Sequence, residues 1–343
     1  METHIKTYSP NQLSVLMKEL GESPFRARQL EEWLYVHHVD SYDKMTNLPK
    51  ALRSTLSEIY PLYTPSIINK RISKDGTRKY IIEFHDNTCV ETVAIPSKND
   101  SRLTVCFSTQ IGCPMACDFC ATGKESFIRN LFPGEIVDQV LLAQEDMGKR
   151  VTNIVGMGQG EPFLNYDNVL AALRILNNPK GIALGARHIS LSTCGVLSGI
   201  QRLASEPEQF TLAVSLHSAV QETRDYLMPK VACFPLPDLR KELQSYIRAT
   251  KRRVTFEYIM IRNVNDQPSD LQALLRFCKG LLCHINLIPI NSIKDSPYQP
   301  SSAAVIKKWV SEITNSGIEV TIRDSRGSDI AGACGQLKQT HLL

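Results

Sequence analysis

The sequence predicts an α/β protein: an incomplete (βα)6 barrel preceded by a small helical domain and an adjoining β-hairpin. Three observations carry this. From Leu103 onward, apolar β-rich runs alternate with helix-sized amphipathic segments, the pattern of parallel strands with helices packed outside them. Residues 1–60 instead carry helical periodicity. Finally, the chemically unusual residues of the second half fall just after predicted strands, where barrels and open α/β sheets alike carry function.

In chain order, Ser9-Pro10 caps a first helix bearing Leu13, Leu16 and Leu20, with Gly21 as its stop. A second carries Phe25, Leu30, Trp33 and Leu34. A third, after Asp43, carries Met45, Leu48, Leu52 and Leu56, with Pro49 able to break its start. Lys79–Phe84 and Cys89–Ile95 alternate as two strands turning at His85-Asp86-Asn87. The barrel strands are expected at Leu103–Ser108, Asn153–Met157, His188–Thr193, Thr211–His217, Val254–Ile261 and Ile285–Ile290, with a further strand at Ile318–Arg323. Pro133–Met147 and Asn168–Leu176 read as intervening helices. The expected divisions are residues 1–68 helical, 69–98 hairpin and 99–343 barrel. Periodicity alone leaves an open doubly wound sheet as the alternative.

Composition narrows the class. With 343 residues, 43% hydrophobic and 22% charged, the chain builds a sizeable core. No apolar run approaches the roughly 18–20 residues of a membrane helix, and Met1–Lys6 has none of the apolar stretch of a signal peptide. A cytoplasmic location and no membrane partner are therefore expected. A net charge of 39 − 35 = +4 is too small to mark a nucleic-acid binder alone. The basic run Lys70, Arg71, Lys74, Arg78 and Lys79 and the run Lys251-Arg252-Arg253 are candidate phosphate contacts or solvated faces. The short segment Gln336–Leu343 after Cys334 brings no basic tail.

Ten cysteines in such a chain suit metal or catalysis better than disulfides. Cys113, Cys117 and Cys120 form C-x3-C-x2-C, with Phe119 before the last, directly after the first barrel strand. Thiolate clusters favour zinc or iron–sulfur centres. Zinc wants a fourth ligand, and the next cysteine downstream is Cys194, in another loop. Three thiolates on a four-iron cluster leave one iron open to a small molecule. Gly158-Gln159-Gly160 fails as a dinucleotide fingerprint, because the third glycine would fall at Glu161, followed by proline.

The three-cysteine motif resembles that of the radical S-adenosylmethionine (SAM) enzymes. Val90-Glu91-Thr92-Val93, Cys120–Gly123, Arg129-Asn130-Leu131, Gly156–Pro162, Ser215-Leu216-His217, Asn286–Pro289 and Ala333–Leu337 recur together and in order, and over nearly the whole chain resemble the RlmN/Cfr group of adenine RNA methyltransferases. The resemblance implies a barrel of the radical-SAM type, with the helical domain binding RNA. It implies a [4Fe-4S] cluster on Cys113, Cys117 and Cys120, with SAM chelated to the open iron and cleaved there to a 5′-deoxyadenosyl radical. Two SAM molecules are used per turnover, in a ping-pong scheme. Cys334, which alone would read as a packed small hydrophobe, is implied to become S-methylcysteine, whose methyl is activated by the radical and added to adenine. Such a covalent detour divides a difficult step. Glu91, otherwise an outward strand carboxylate, is implied as proton acceptor, and Cys106 as the resolving thiol that forms a transient disulfide with Cys334. Gly160, Glu161, Ser192, Ser215, Leu216, His217 and Asn291 are implied SAM contacts. Cys89, Cys194, Cys233, Cys278 and Cys283 are read as structural.

By the same resemblance the product is 2-methyladenine, at adenine 2503 of 23S rRNA and adenine 37 of tRNAs. The protein is expected to be a monomer, drawing electrons from a reducing protein such as flavodoxin or ferredoxin. Cfr-type C8 methylation is the nearest alternative. Gly160–Asn165 and the Thr321-Ile322-Arg323 and Arg326-Gly327 stretch favour C2. A non-catalytic iron–sulfur RNA-binding or redox protein is the distant one. Gln159 departs from the Gly-Met-Gly-Glu-Pro of many members.

Overall fold

The computed structural model describes residues 4–99, 101–291 and 296–337. Most of the segment after Cys334, residues 338–343, and the first three residues of the N-terminal stretch lie outside the described residues. The chain opens with helices α1 (Pro10–Glu19), α2 (Phe25–Glu31) and α3 (Lys50–Ile59). Ser9 and Gln12 form a reciprocal capping box on α1, with Pro10 at its first position. Met45 and Leu48 are buried but precede α3, which starts only after Pro49. Proline has no N–H to donate and fits only the start of a helix.

One ten-stranded sheet dominates the rest: β1 (Ser66–Ile72), β2 (Arg78–Glu83), β3 (Cys89–Pro96), β4 (Leu103–Cys106), β7 (Asn153–Gly156), β8 (Ile189–Thr193), β9 (Thr211–Ser215), β10 (Val254–Met260), β11 (Cys283–Pro289) and β12 (Glu319–Ile322). The short β5 (Gln110–Ile111) and β6 (Arg129–Asn130) pair separately. Strands β1 to β4 are antiparallel neighbours, and β4 through β12 run parallel. The expected hairpin is thus the inner part of a three-stranded meander continuous with the barrel. β1, an exposed edge strand carrying Lys70 and Arg71, was not expected from its sequence.

Strand order across the sheet follows chain order without a reversal. With right-handed crossovers, every step in one direction puts the helices on one face and curls the sheet around the other. A doubly wound sheet would reverse direction at a switch point, so that alternative is excluded. The outer layer contains α4 (Pro133–Met147), α5 (Tyr166–Asn177), α6 (Leu197–Ser205), α7 (Gln221–Leu227), α8 (Leu236–Thr250), α9 (Pro268–Cys278) and α10 (Ala303–Asn315). Among the described residues no helix is long and apolar enough to cross a membrane.

The helical unit is fastened to the barrel at α4. Lys6 Nζ lies 2.8 Å from Asp138 Oδ1, with both side chains 1% exposed. Gly134 makes room for this contact, since a Cβ there would stand 2.4 Å from Lys6 Cβ. Beside it, the buried His4 ring packs edge-on against Tyr63, His85 and Phe132.

Candidate active site

The ends of the parallel strands converge on one cavity. Its lining includes Cys113, Cys117 and Cys120 from the loop after β4, Gly160 and Glu161 from the loop after β7, Ser192 on β8, and Ser215 and His217 at the end of β9. Cys334 closes the cavity from the C-terminal segment and also lines a second one with Cys106, Asn291, Arg323 and Arg326. Most of the expected site residues are therefore brought together, with Cys334, Met157, Ile288 and Leu337 lining both spaces.

The cysteine loop is tied at several points. Asp118 N–H donates to the Leu227 carbonyl (3.0 Å) and Ala121 N–H to that of Gly335 (2.8 Å). Burial pushes all three thiols up, Cys113 to about 12, and Cys117 is raised further by Cys120 and Cys113. Three clustered thiols in a sheltered space, whose thiolates would repel one another, are chemically suited to a cationic metal cluster that holds them as thiolates. Cys194 lines the same cavity, but its thiol is hydrogen-bonded to Glu161 and pushed up mainly by burial, then by that carboxylate.

Glu161 is buried, and burial is the main cause raising its pKa. Its oxygens accept the N–H groups of Phe163 (3.0 Å) and Cys194 (2.8 Å). The side chains of Cys194 and Thr193 are hydrogen-bonded to the same carboxylate. Gly160 precedes it at φ 100°, and a Cβ there would sit 2.6 Å from Gln110 Cβ, so only glycine fits. Ser192 and Ser215 join by their hydroxyls at 3.2 Å. His217 adopts a left-handed conformation (φ 56°). Buried Asn265 holds it there by donating to the His217 and Ile259 carbonyls, each at 2.7 Å. His217 Nδ1 accepts the Ile259 N–H (3.2 Å), and burial, then Arg224, lowers its pKa to about 3, keeping the ring neutral.

Two expected SAM contacts sit differently. Leu216 is fully buried and lines neither cavity, its N–H donating instead to the Glu257 carbonyl (3.1 Å). Between Ser215 and His217 its side chain turns into the core. Asn291 lines only the second cavity, where its Nδ2 donates to the Cys334 carbonyl (3.1 Å).

Cys106 stands opposite Val93 across β3 and β4, on the concave face. Burial pushes its thiol up to about 12, Cys334 adds to this, and Arg323 opposes it. Cys334 is exposed as a residue, yet burial of its sulfur is the main cause raising its pKa, with Arg323 opposing and Glu257 and Cys120 adding to it. Arg323 also donates to Met157 Sδ (3.3 Å) and Glu257 Oε2 (3.4 Å). The sequence singled out Arg323 only within the Thr321-Ile322-Arg323 stretch that favours C2, not for its place beside the two thiols.

Glu91 lines neither cavity. It is fully buried on β3, 2.9 Å from Lys79 Nζ. Its N–H donates to Gln159 Oε1 (2.9 Å), and its carbonyl accepts from Ser108 Oγ (2.7 Å). Gln159, the departure in the Gly-rich loop, thus links that loop to the Glu91 strand.

The basic runs are largely spent on internal contacts. Lys70 and Arg78 pair with Asp146, Lys79 with Glu91, and Arg253 with Glu319. Arg252 donates to the Glu208 and Phe210 carbonyls. Arg71, Lys74 and Lys251 are exposed.

Comparison with known proteins agrees with this architecture. Residues 3–61 match the ribosomal RNA large subunit methyltransferase N-terminal domain, and residues 107–278 match the radical SAM superfamily. The chain is 41% identical over 340 residues to a probable dual-specificity RNA methyltransferase RlmN of Clostridium novyi, covering 99% of this chain and 98% of that one. A protein of the same description from Synechococcus elongatus is 45% identical over 324 residues, covering 93% and 88%. The crystal structure of a radical SAM methyltransferase from Sphaerobacter thermophilus aligns with a TM-score of 0.90 at 40% identity, covering 98% of this chain and 99% of that one.

Proposed function

Because the chain belongs to the RlmN family of radical SAM methyltransferases, we propose that it methylates C2 of adenine in RNA, at adenine 2503 of 23S rRNA and adenine 37 of tRNAs. The observation that carries this reading is the position of Cys334, shared between the cavity of the three loop cysteines and the cavity of Cys106. The radical SAM family uses a 4Fe-4S cluster and SAM. Cys113, Cys117 and Cys120 would hold the cluster, and Gly160, Glu161, Ser192, Ser215 and His217 would surround SAM. Once bound, these groups supply a methyl group and a hydrogen-abstracting radical, with two SAM molecules per turnover and electrons from a protein such as flavodoxin or ferredoxin.

The chain's own residues do the rest. The Cys334 sulfur accepts the methyl group and carries it to the base, so that a C–C bond forms while the RNA is tethered through sulfur. The adduct's unpaired electron would pass to the cluster that Cys113, Cys117 and Cys120 would hold, and Glu91 takes the proton from the ring carbon. The Cys106 thiolate attacks the Cys334 sulfur: an S–S bond forms, the carbon–sulfur bond breaks, and its electron pair stays with the carbon, which is protonated to methyl. A reductant restores both thiols. The walls of Phe119, Met157, Met228 and Ile259 exclude water from the reacting centre. A monomer acting in the cytoplasm is the simplest setting for this chemistry.

The test is anaerobic reconstitution with iron and sulfide, followed by SAM, reductant and an RNA fragment, with nucleosides read by mass spectrometry. The expected product is 2-methyladenosine, absent with Cys334→Ala. An 8-methyl product would overturn the assigned position, and no methylated base despite an intact cluster would overturn the substrate.

A further inference from the structure

Lys79 belongs by sequence to a basic run, yet its side chain is 4% exposed and its partner Glu91 is fully buried. Lysine is almost never buried unless paired. A buried ion pair is weak evidence for stability, since apolar residues of similar volume often serve equally well. Its geometry offers another reason for it. On β2, Lys79 faces Val93, and Glu91 lies two residues earlier on the same face of β3. From there Nζ reaches Glu91 Oε1 at 2.9 Å and donates to the Ala331 carbonyl at 3.2 Å. Ala331 is three residues before Cys334 and has φ 54°, a left-handed conformation that costs a non-glycine residue energy unless held.

The rest of that segment is fixed at its outer end. Ser73 donates to Asp329 (2.6 Å), and Gly327 N–H donates to Asp75 (3.0 Å). Those contacts touch no proposed reacting group. Among the described residues, the Lys79 ammonium contacts both the Glu91 carboxylate and the backbone leading to Cys334.

We propose that Lys79 is a positioning residue, whose ammonium sets the Glu91 carboxylate and the Cys334 segment in one fixed relation for release of the RNA adduct. The proposal rests on Glu91 being the base that takes the ring proton. When that proton arrives, the Coulomb attraction to Lys79 disappears and the carbonyl contact remains. The lysine therefore keeps hold of the cysteine segment through the step in which Cys106 attacks it.

Three variants are compared with the wild-type chain: Lys79→Met, Lys79→Arg and Glu91→Gln. Methylation of Cys334 is read by peptide mass spectrometry, the protein–RNA adduct by denaturing gel, and amide hydrogen exchange across residues 328–337 on the protein without RNA. Lys79→Met is expected to leave Cys334 methylation within about twofold, slow adduct release at least tenfold, and speed exchange in that segment. Lys79→Arg, which keeps the charge, recovers most of the release rate. If Lys79→Met fails to fold, the double variant Lys79→Met/Glu91→Gln removes both charges, and its segment should exchange faster than in Glu91→Gln alone. Adduct trapped by Glu91→Gln but released at the wild-type rate by Lys79→Met, with unchanged exchange, overturns the proposal. If Glu91→Gln itself traps no adduct, the role of Glu91 fails and the proposal falls with it.

Discussion

The hydroxyl of Thr122 donates to the carbonyl of Leu337 across 2.7 Å, joining residues that lie 215 positions apart in the chain. With the bond from Ala121 N–H to the Gly335 carbonyl, it clasps the loop of Cys113, Cys117 and Cys120 to the segment of Cys334. A buried carbonyl left without its donor costs roughly 1–3 kcal/mol. Thr122→Val keeps the shape and removes the donor. It should lower stability by about that amount and speed amide exchange at 334–337, while Thr122→Ser should restore both. Equal exchange in Thr122→Val and wild type would show that the clasp does not hold the segment.

Removal of the second thiol should separate the two halves of the reaction. Cys106→Ala is expected to methylate Cys334 normally and then accumulate RNA covalently attached to it, seen as a slow band on a denaturing gel. The reverse variant, Cys334→Ala, should show no adduct at all. Free methylated RNA from Cys106→Ala at the wild-type rate would remove Cys106 from the mechanism.

The contact between the helical unit and the barrel should depend on pH. Burial, reinforced by His85, lowers the pKa of His4 to about 4. Above about pH 6.5 the ring is neutral in both folded and unfolded chains, and its full contribution is present. As pH falls toward 4, the unfolded chain binds a proton that the folded one does not, so stability declines by roughly 3 kcal/mol over that range. Urea unfolding at pH 7 and pH 4.5 should show a smaller difference for His4→Phe than for the wild type.

Breaking the ion pair beside it should be costly, and removing both charges should not. Asp138→Ala strands the Lys6 ammonium in a dry site, at an expected cost of about 3–5 kcal/mol. Lys6→Met/Asp138→Leu should recover most of this in thermal unfolding. Additive losses would mean that the two residues do not act as a pair.

The barrel and cysteine motif were legible because they depend on local spacing. Apolar runs locate β4 and β7 to β11 to within a few residues, and C-x3-C-x2-C puts three thiols on one loop whatever surrounds it. Features that depend on register were not legible. Lys79 looks like any strand lysine until β2 is set against β3, which turns it and Glu91 to the same buried face. β1 carries no apolar alternation because it is an exposed edge strand. Leu216 shares a motif with two cavity residues, but turns into the core.

The match of strand order to chain order also governs how the molecule is built on the ribosome. A chain emerging from its N-terminus lays each new strand beside the last, and no gap must be held open for a later arrival. The exception is the segment of Cys334. Cys334 reaches the cavity only after β12, so nearly the whole barrel is synthesised while the three loop cysteines still lack their cover. The segment of Cys334, Gly335 and Leu337 that lines this cavity is thus the last part of the described chain to reach it.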